Sequence, residues 1–478
     1  MIRGGASYDL WHATARLPNR AVAAVFVVGL AGWSWGAAFS AQPGSVIAPG
    51  CAITSTHVIP MIEIGGRTTA SSAAVRLGGI SDLAPAGHGS VHAAETARLW
   101  VLTDRGPNGT IKTAAGKRRT LLDPGFTPAI VAIEVTVGST GAPAAGNGSE
   151  EVAAARILKV VQLTGCSGRP LSGRPNGIGN DEPILDGTSA NELAPDPNGV
   201  DTEGLIRLRD GTFWVAEEYR PSLLHVSAEG RTLARYVPRG HALSGADMDV
   251  HDVLPSEYGS RRDNRGFEAL AISPDETRLW AIVQSPLDNP VPKSGNATGN
   301  VRLLALDTQS KAPAAEYLYR LGDPAAPGYL SRGAPPNDGK LCAMAAIDQH
   351  TLLVLEQSEE GVARVYRCLL DGATDTLPRS MRPLDAGPAL EQVGDLPAEG
   401  IVPVGKRLVA DLAPLLPTLL RDVHGNPDAQ VALKIEGMAI LDREHVAFVN
   451  DNDFGVGATN GEAAPRNCLW IMQVEPLW

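Results

Sequence analysis

The feature that most constrains this chain is a phrase it repeats. A small or acidic residue, then Gly or Ala and a short apolar strand, precede by about a dozen residues a second strand ending in acid or amide. It reads Glu203-Gly204-Leu205-Ile206 leading to Phe213-Trp214-Val215-Ala216-Glu217-Glu218, and again Glu268-Ala269-Leu270-Ala271 leading to Leu279-Trp280-Ala281-Ile282-Val283-Gln284. A third copy runs from Glu436-Gly437-Met438-Ala439 to Val446-Ala447-Phe448-Val449-Asn450-Asp451. Looser copies start at Gly78-Gly79-Ile80-Ser81 and at Cys342-Ala343-Met344-Ala345. Repetition of short strands and turns at this scale marks radial or stacked architectures.

The clearest unit, 203–240, contains four apolar strands separated by turns at Asp210-Gly211 and Glu229-Gly230. Four short strands joined by tight turns make one propeller blade. The chain is therefore predicted to be all-β, a single β-propeller with loop insertions and a short helix within 405–422. Its 52 Gly and 36 Pro suit such a loop-rich protein. Repeat starts fall at 78, 203, 268, 342 and 436, and the double-length first gap holds further strands at Ala129–Val135 and Arg156–Leu163. Reading those strands as a degenerate blade gives six blades, with five or seven also compatible. The last unit lacks an outer strand, which the N-terminal segment can supply to close the ring and remove a sheet edge.

Residues 1–41 carry Arg16 and Arg20 before the apolar run 21–30 and then small residues. That pattern predicts a cleaved export signal, with an uncleaved membrane anchor as the alternative. Residues 42–70 read as a lead-in and 71–478 as the propeller domain. The predicted location is secreted or periplasmic. Five cysteines have no metal-type spacing, and Cys342–Cys368 is the pairing expected of an oxidising compartment. A formal net charge of −12 argues against nucleic acid as a partner.

Inner strands of a propeller surround a channel, so Glu203, Glu268 and Glu436, each opening a first strand, should meet at its mouth. Clustered carboxylates repel unless protonated or bridged by a cation. Oxygen ligands favour a hard divalent ion, Ca²⁺ or alternatively Mg²⁺. Asp451 and Asp453, alternating with Asn452 before Gly455, add to this metal-ligand set. Asp104 and Glu217, at the ends of second strands, are the candidate catalytic residues. Arg105, Arg220, Arg265 and Lys434 follow or precede these acids and are candidate contacts for a small anionic substrate. A second reading stays open, in which these same cations simply pair with the acids. Asp247, Asp249, Asp252 and His251, in an insertion, form a lesser metal candidate.

Several phrases together resemble the phytase-like family, described by its esterase-like activity of phytase. They are Val200-Asp201-Thr202-Glu203-Gly204-Leu205, Asn264-Arg265-Gly266-Phe267-Glu268-Ala269, Lys434-Ile435-Glu436-Gly437-Met438 and Thr103-Asp104-Arg105-Gly106. The likeness covers roughly residues 71–475. It implies an exported propeller that hydrolyses phosphoric esters. The Glu-Gly-apolar phrase is also similar to six-bladed lactonase propellers with one channel calcium, and a non-enzymatic binding propeller is the third alternative.

Overall fold

A computed structural model describes residues 51–67, 74–86, 96–114, 116–137, 153–177, 183–322, 339–358, 363–381, 388–429, 431–456 and 464–478. The predicted export segment lies outside these residues.

Five sheets carry the architecture. Blade one comprises Ile80–Pro85, Thr96–Thr103, Ala129–Thr136 and Arg156–Gln162. Blade two runs Thr202–Arg207, Phe213–Glu217, Ser222–Val226 and Thr232–Pro238, with Asp249–Leu254 added in parallel outside. Blade three is Phe267–Ile272, Arg278–Val283, Asn300–Asp307 and Pro313–Arg320. Blade four is Gly339–Ala346, Thr351–Ser358, Ala363–Leu369 and Gly405–Asp411. Blade five is Ile435–Ile440, His445–Asn450, Asn467–Gln473 and, closing the ring, Ala52–Ile59. The first strand of each blade packs against the first strand of the next, and that of blade five returns to blade one.

The described residues thus form a five-bladed propeller, one blade fewer than the spacing suggested. The strands near 129 and 156 are not a separate unit. They are the outer half of blade one, reached through an inserted hairpin of Asn108–Thr113 and Gly116–Leu121. The propeller also begins before residue 71, because Ala52–Ile59 is hydrogen-bonded to Asn467–Gln473. Closing the ring with a strand from the other terminus removes an exposed sheet edge.

The repeated phrase has a packing cause. A Cβ on Gly204 would lie 2.9 Å from the Leu270 backbone nitrogen, and one on Gly437 would lie 2.9 Å from Asp82 Cα. Only a minimal residue lets adjacent inner strands approach this closely, and Ala269 and Ala343 hold the matching positions. Trp100, Trp214 and Trp280 share one position on the second strands. Trp214 and Trp280 are fully buried between blades.

Between the third and fourth strands of blade four the chain inserts residues 370–404. Its segment 388–401 packs on blade three, where Glu391 holds Arg302 at 2.6 and 2.9 Å and Asn300 donates to the Leu390 carbonyl. The expected helix begins late, at Leu416–His424, because 405–411 is the outer strand of blade four. Asp422 on that helix accepts the Trp470 indole N–H at 2.9 Å. Among the described residues no helix is long and apolar enough to cross a membrane.

Candidate functional site

Each inner strand carries a β-bulge at the same place. Pairing with the second strand skips between Ile80 and Asp82, Thr202 and Leu205, Phe267 and Ala269, Leu341 and Ala343, and Ile435 and Gly437. The residues left out are Ser81, Glu203 (with Gly204), Glu268, Cys342 and Glu436. A bulge re-aims the side chain of its extra residue, and here it does so five times around one axis. Just beyond, the second strands end in equivalent residues: Asp104, Glu218, Gln284, Gln357 and Asp451. The amides of Asp104, Glu218, Gln284 and Asp451 donate to Gly79, Asp201, Gly266 and Lys434 at 2.8–3.0 Å, and Gln357 pairs with Lys340.

These rings bring acids together at one end of the channel in two groups. Oxygens of Asp201, Glu203 and Glu218 all lie within 4.8 Å of one another, as do ligand atoms of Glu268, Cys342 and Glu436. The groups adjoin, since Glu203 feels the charge of Glu268 and Glu268 that of Glu218 and Glu436. Burial, then mutual repulsion, pushes the carboxyls of Asp104, Glu203 and Glu268 well up. Glu218 is pushed to about 8 by burial and then by Asp201, although Arg105, Arg119 and Arg261 oppose the rise. One oxygen each of Glu218, Glu268 and Glu436 is buried without a hydrogen-bond partner. Unpaired buried carboxylate oxygens that repel one another fit a cation, which would supply the missing charge and coordination.

The predicted residues separate. Glu203, Glu268 and Asp104 lie at this end of the channel. Glu436 does too, grouped with Cys342. Asp451, raised to about 7 chiefly by burial, pairs with Lys434 at 3.3 Å, and Asp453 pairs with the same ammonium. The Lys434 ammonium thus sits between the two carboxylates, in the place a calcium would need, and the expected metal role of Asp451 and Asp453 gives way to this ion pair. Asn452 caps it, accepting the Phe454 N–H at 3.1 Å.

Glu217 is a correction to its expected catalytic role. It is fully buried, and its oxygens accept bonds from Asn176, the amides of Asp201, Tyr219 and Arg220, Ser222 and Arg235. A carboxylate with every lone pair engaged has none left for a substrate. Arg105 and Arg220 are also structural rather than free for an anion. Arg105 pairs with Asp201 at 2.6 Å and bonds Asn264. Arg220 donates to the carbonyls of Asn176, Gly177 and His241. Arg265 is half-buried in the loop leading to blade three. The lesser metal candidate disperses: Asp247 binds Ser167, while His251 stacks on Tyr236.

Sequence reasoning missed Asp201, Glu218 and Cys342 as members of the site. Cys342 could have been found, since aligning the looser repeat copy puts it in the glutamate slot. It is buried and unpaired, as are Cys368 and Cys468. The expected Cys342–Cys368 bridge is absent because a whole strand separates the two, and neighbouring strands lie about 4.8 Å apart.

A cavity of about 660 Å³ opens at the other end of the channel. Leu83, Leu205, Ile272, Met344, Met438 and Trp478 line it, and none of the candidate acids does. Its rim also carries Arg207, Asp442, Arg443, Glu444 and His445, so this end of the channel is apolar within and charged at its edge.

The family description Phytase-like, esterase-like activity of phytase, matches residues 75–454. The chain belongs to the phytase-like family. A relative of this phytase-like protein, called an uncharacterized secreted protein in Arthroderma benhamiae, is 33% identical over 129 residues. The match covers 24% of this chain and only 25% of that relative. Among solved structures, a luciferin-regenerating enzyme is similar at 8% identity and a TM-score of 0.32, covering 86% of this chain and 97% of that one. The PQQ-bound aldose sugar dehydrogenase of Streptomyces coelicolor is similar at 12% identity and a TM-score of 0.31, covering 88% and 98%. Scores this low transfer neither detail of fold nor function to the phytase-like chain.

Proposed function

We propose that this protein is an exported, divalent-cation-dependent hydrolase of small phosphoric esters, working at the acidic end of its channel. The observation that carries the reading is the convergence of Asp201, Glu203 and Glu218, with Glu268 alongside, where Glu218 and Glu268 each bury an oxygen that lacks a hydrogen-bond partner. Family membership supports ester hydrolysis, and the predicted export segment together with the secreted relative supports the location.

Asp201, Glu203 and Glu218 would hold the cation, for which Ca²⁺ fits the all-oxygen set and Mg²⁺ is the alternative. The ion would supply the positive charge an anionic ester needs in a field of carboxylates. Arg105, locked by Asp201 and Asn264, orients Asp201 rather than gripping substrate. Asp104, beside Asp201 and Asp451, is the acid placed to exchange a proton with a bound ester. Nucleic acid is not a partner in this reading, and neither is a membrane beyond the alternative of an N-terminal anchor.

Turnover of p-nitrophenyl phosphate, phytate and a simple lactone, each with Ca²⁺ and with chelator, tests it. The expected result is phosphate-ester hydrolysis abolished by chelation. Lactone turnover alone would transfer the site to the lactonase reading. No turnover, with a melting temperature indifferent to chelator, would leave a binding propeller with structural acids.

A further inference from the structure

We propose that Glu268, Cys342 and Glu436 form a second cation subsite, one that takes a thiophilic divalent ion of the zinc or cadmium class. It is distinct in chemistry from the all-oxygen group of Asp201, Glu203 and Glu218, and it stands whether or not phosphoric esters are the substrate.

Three blades each contribute one bulged residue to it, and the ligand atoms lie within 4.8 Å of one another. The second observation is Glu268, which is 3% exposed and directs into the group a buried oxygen that no hydrogen bond satisfies. Glu436 adds another such oxygen. Cys342 is in no disulfide; its sulfur lies 3.8 Å from Gln357 Oε1, and its S–H is hydrogen-bonded to the Glu436 carboxylate, the bond that a sulfur–metal bond would replace. A buried thiol between two carboxylates is poorly placed for Ca²⁺, whose ligands are oxygens, whereas thiolate selects softer ions. Three protein ligands leave an open fourth position, the arrangement of catalytic rather than structural zinc. Glu436 is only half-buried and gives the entry path.

Binding requires the Cys342 S–H to release its proton to solvent as the sulfur–metal bond forms, so affinity should fall as pH falls. The positive groups nearby are Lys340, whose charge reaches all three residues, and Lys434, which Asp451 and Asp453 engage. If Lys340 supplies all the charge the trio needs, no metal will bind, and the experiment reports it.

The full-length protein is titrated with Cd²⁺ in a Cys166→Ser background, which removes the exposed thiol, and the sulfur-to-metal charge-transfer absorbance is followed. A saturating band that Cys342→Ser abolishes, and that excess Ca²⁺ leaves in place, is the expected result. Glu268→Gln, which keeps the thiol, should shift the titration to higher Cd²⁺. Absence of the band, its survival in Cys342→Ser, or its displacement by Ca²⁺ would overturn the proposal. Should Cys342→Ser not fold, an unchanged Cd²⁺ titration in Glu268→Gln would overturn it equally. Because the readout is absorbance, failure of the proposed hydrolysis leaves this test unaffected.

Discussion

Two adjacent glutamates show how much one residue of register decides. Successive strand residues face opposite sides, so Glu217 enters the blade interior while Glu218 reaches the channel. Glu217 and Arg235 are both fully buried, with 2.7 Å between Oε2 and Nη2. Replacing Glu217 by Ala leaves the guanidinium uncompensated and should cost about 3–5 kcal/mol in urea unfolding. Glu218→Gln should instead leave folding intact and lower kcat/KM by about two orders of magnitude, the scale of one lost preorganised electrostatic contact. An equally active Glu218→Gln enzyme would remove that residue from the site. Glu218 and Asp451, with ordinary values of 4.5 and 3.8, rise to about 8 and about 7 in the fold. The folded state then binds more protons than the unfolded one through this window, so stability must fall as pH rises. Without a cation the melting temperature should therefore decline from about pH 4 through pH 8, the window set by these two groups. Added Ca²⁺ should flatten the decline, and a chelated protein with a flat profile would contradict the electrostatics.

At the scale of the element, the five bulges do what the repeated phrase cannot do alone. The phrase placed glutamates at strand starts, and this was legible from three copies. Their meeting was not, because only a break in pairing aims them to one point. Asp82, one residue past the bulge of blade one, is the device that ties neighbours together. Its buried carboxylate accepts the Leu205 amide of blade two at 2.7 Å and the Met438 amide of blade five. Asp82→Ala would orphan both buried donors and should destabilise by at least about 2 kcal/mol. Asp82→Asn should lose less, since its carbonyl still accepts one of them. Equal losses in urea titrations would show that these bonds do not join the blades. The Lys434 clamp was also out of reach of sequence, which offers the lysine beside the acids and leaves both salt bridge and substrate contact open.

At the scale of the whole molecule, the ring closes with a strand from the far end of the chain. Removing residues up to 60 would bare Asn467–Gln473 as an open edge. The truncated protein should unfold at lower denaturant and self-associate in size-exclusion chromatography. A monomeric truncation of unchanged midpoint would show that the strand is dispensable. The closed ring also separates two regions of the channel: the buried carboxylates at the bulged end and, at the other, a cavity with apolar walls and a charged rim, with Asp82 buried between them.

The sequence by itself determined the strand-and-turn economy, the minimal residue after each inner glutamate and the identity of most acids, because these follow from local spacing and turn chemistry. It could not determine the blade count, since an inserted hairpin within blade one has the same spacing signature as a degenerate repeat. Nor could it decide which acids remain unpaired. That depends on cross-blade distances of a few ångströms, which exist only once five sheets have closed around a common axis.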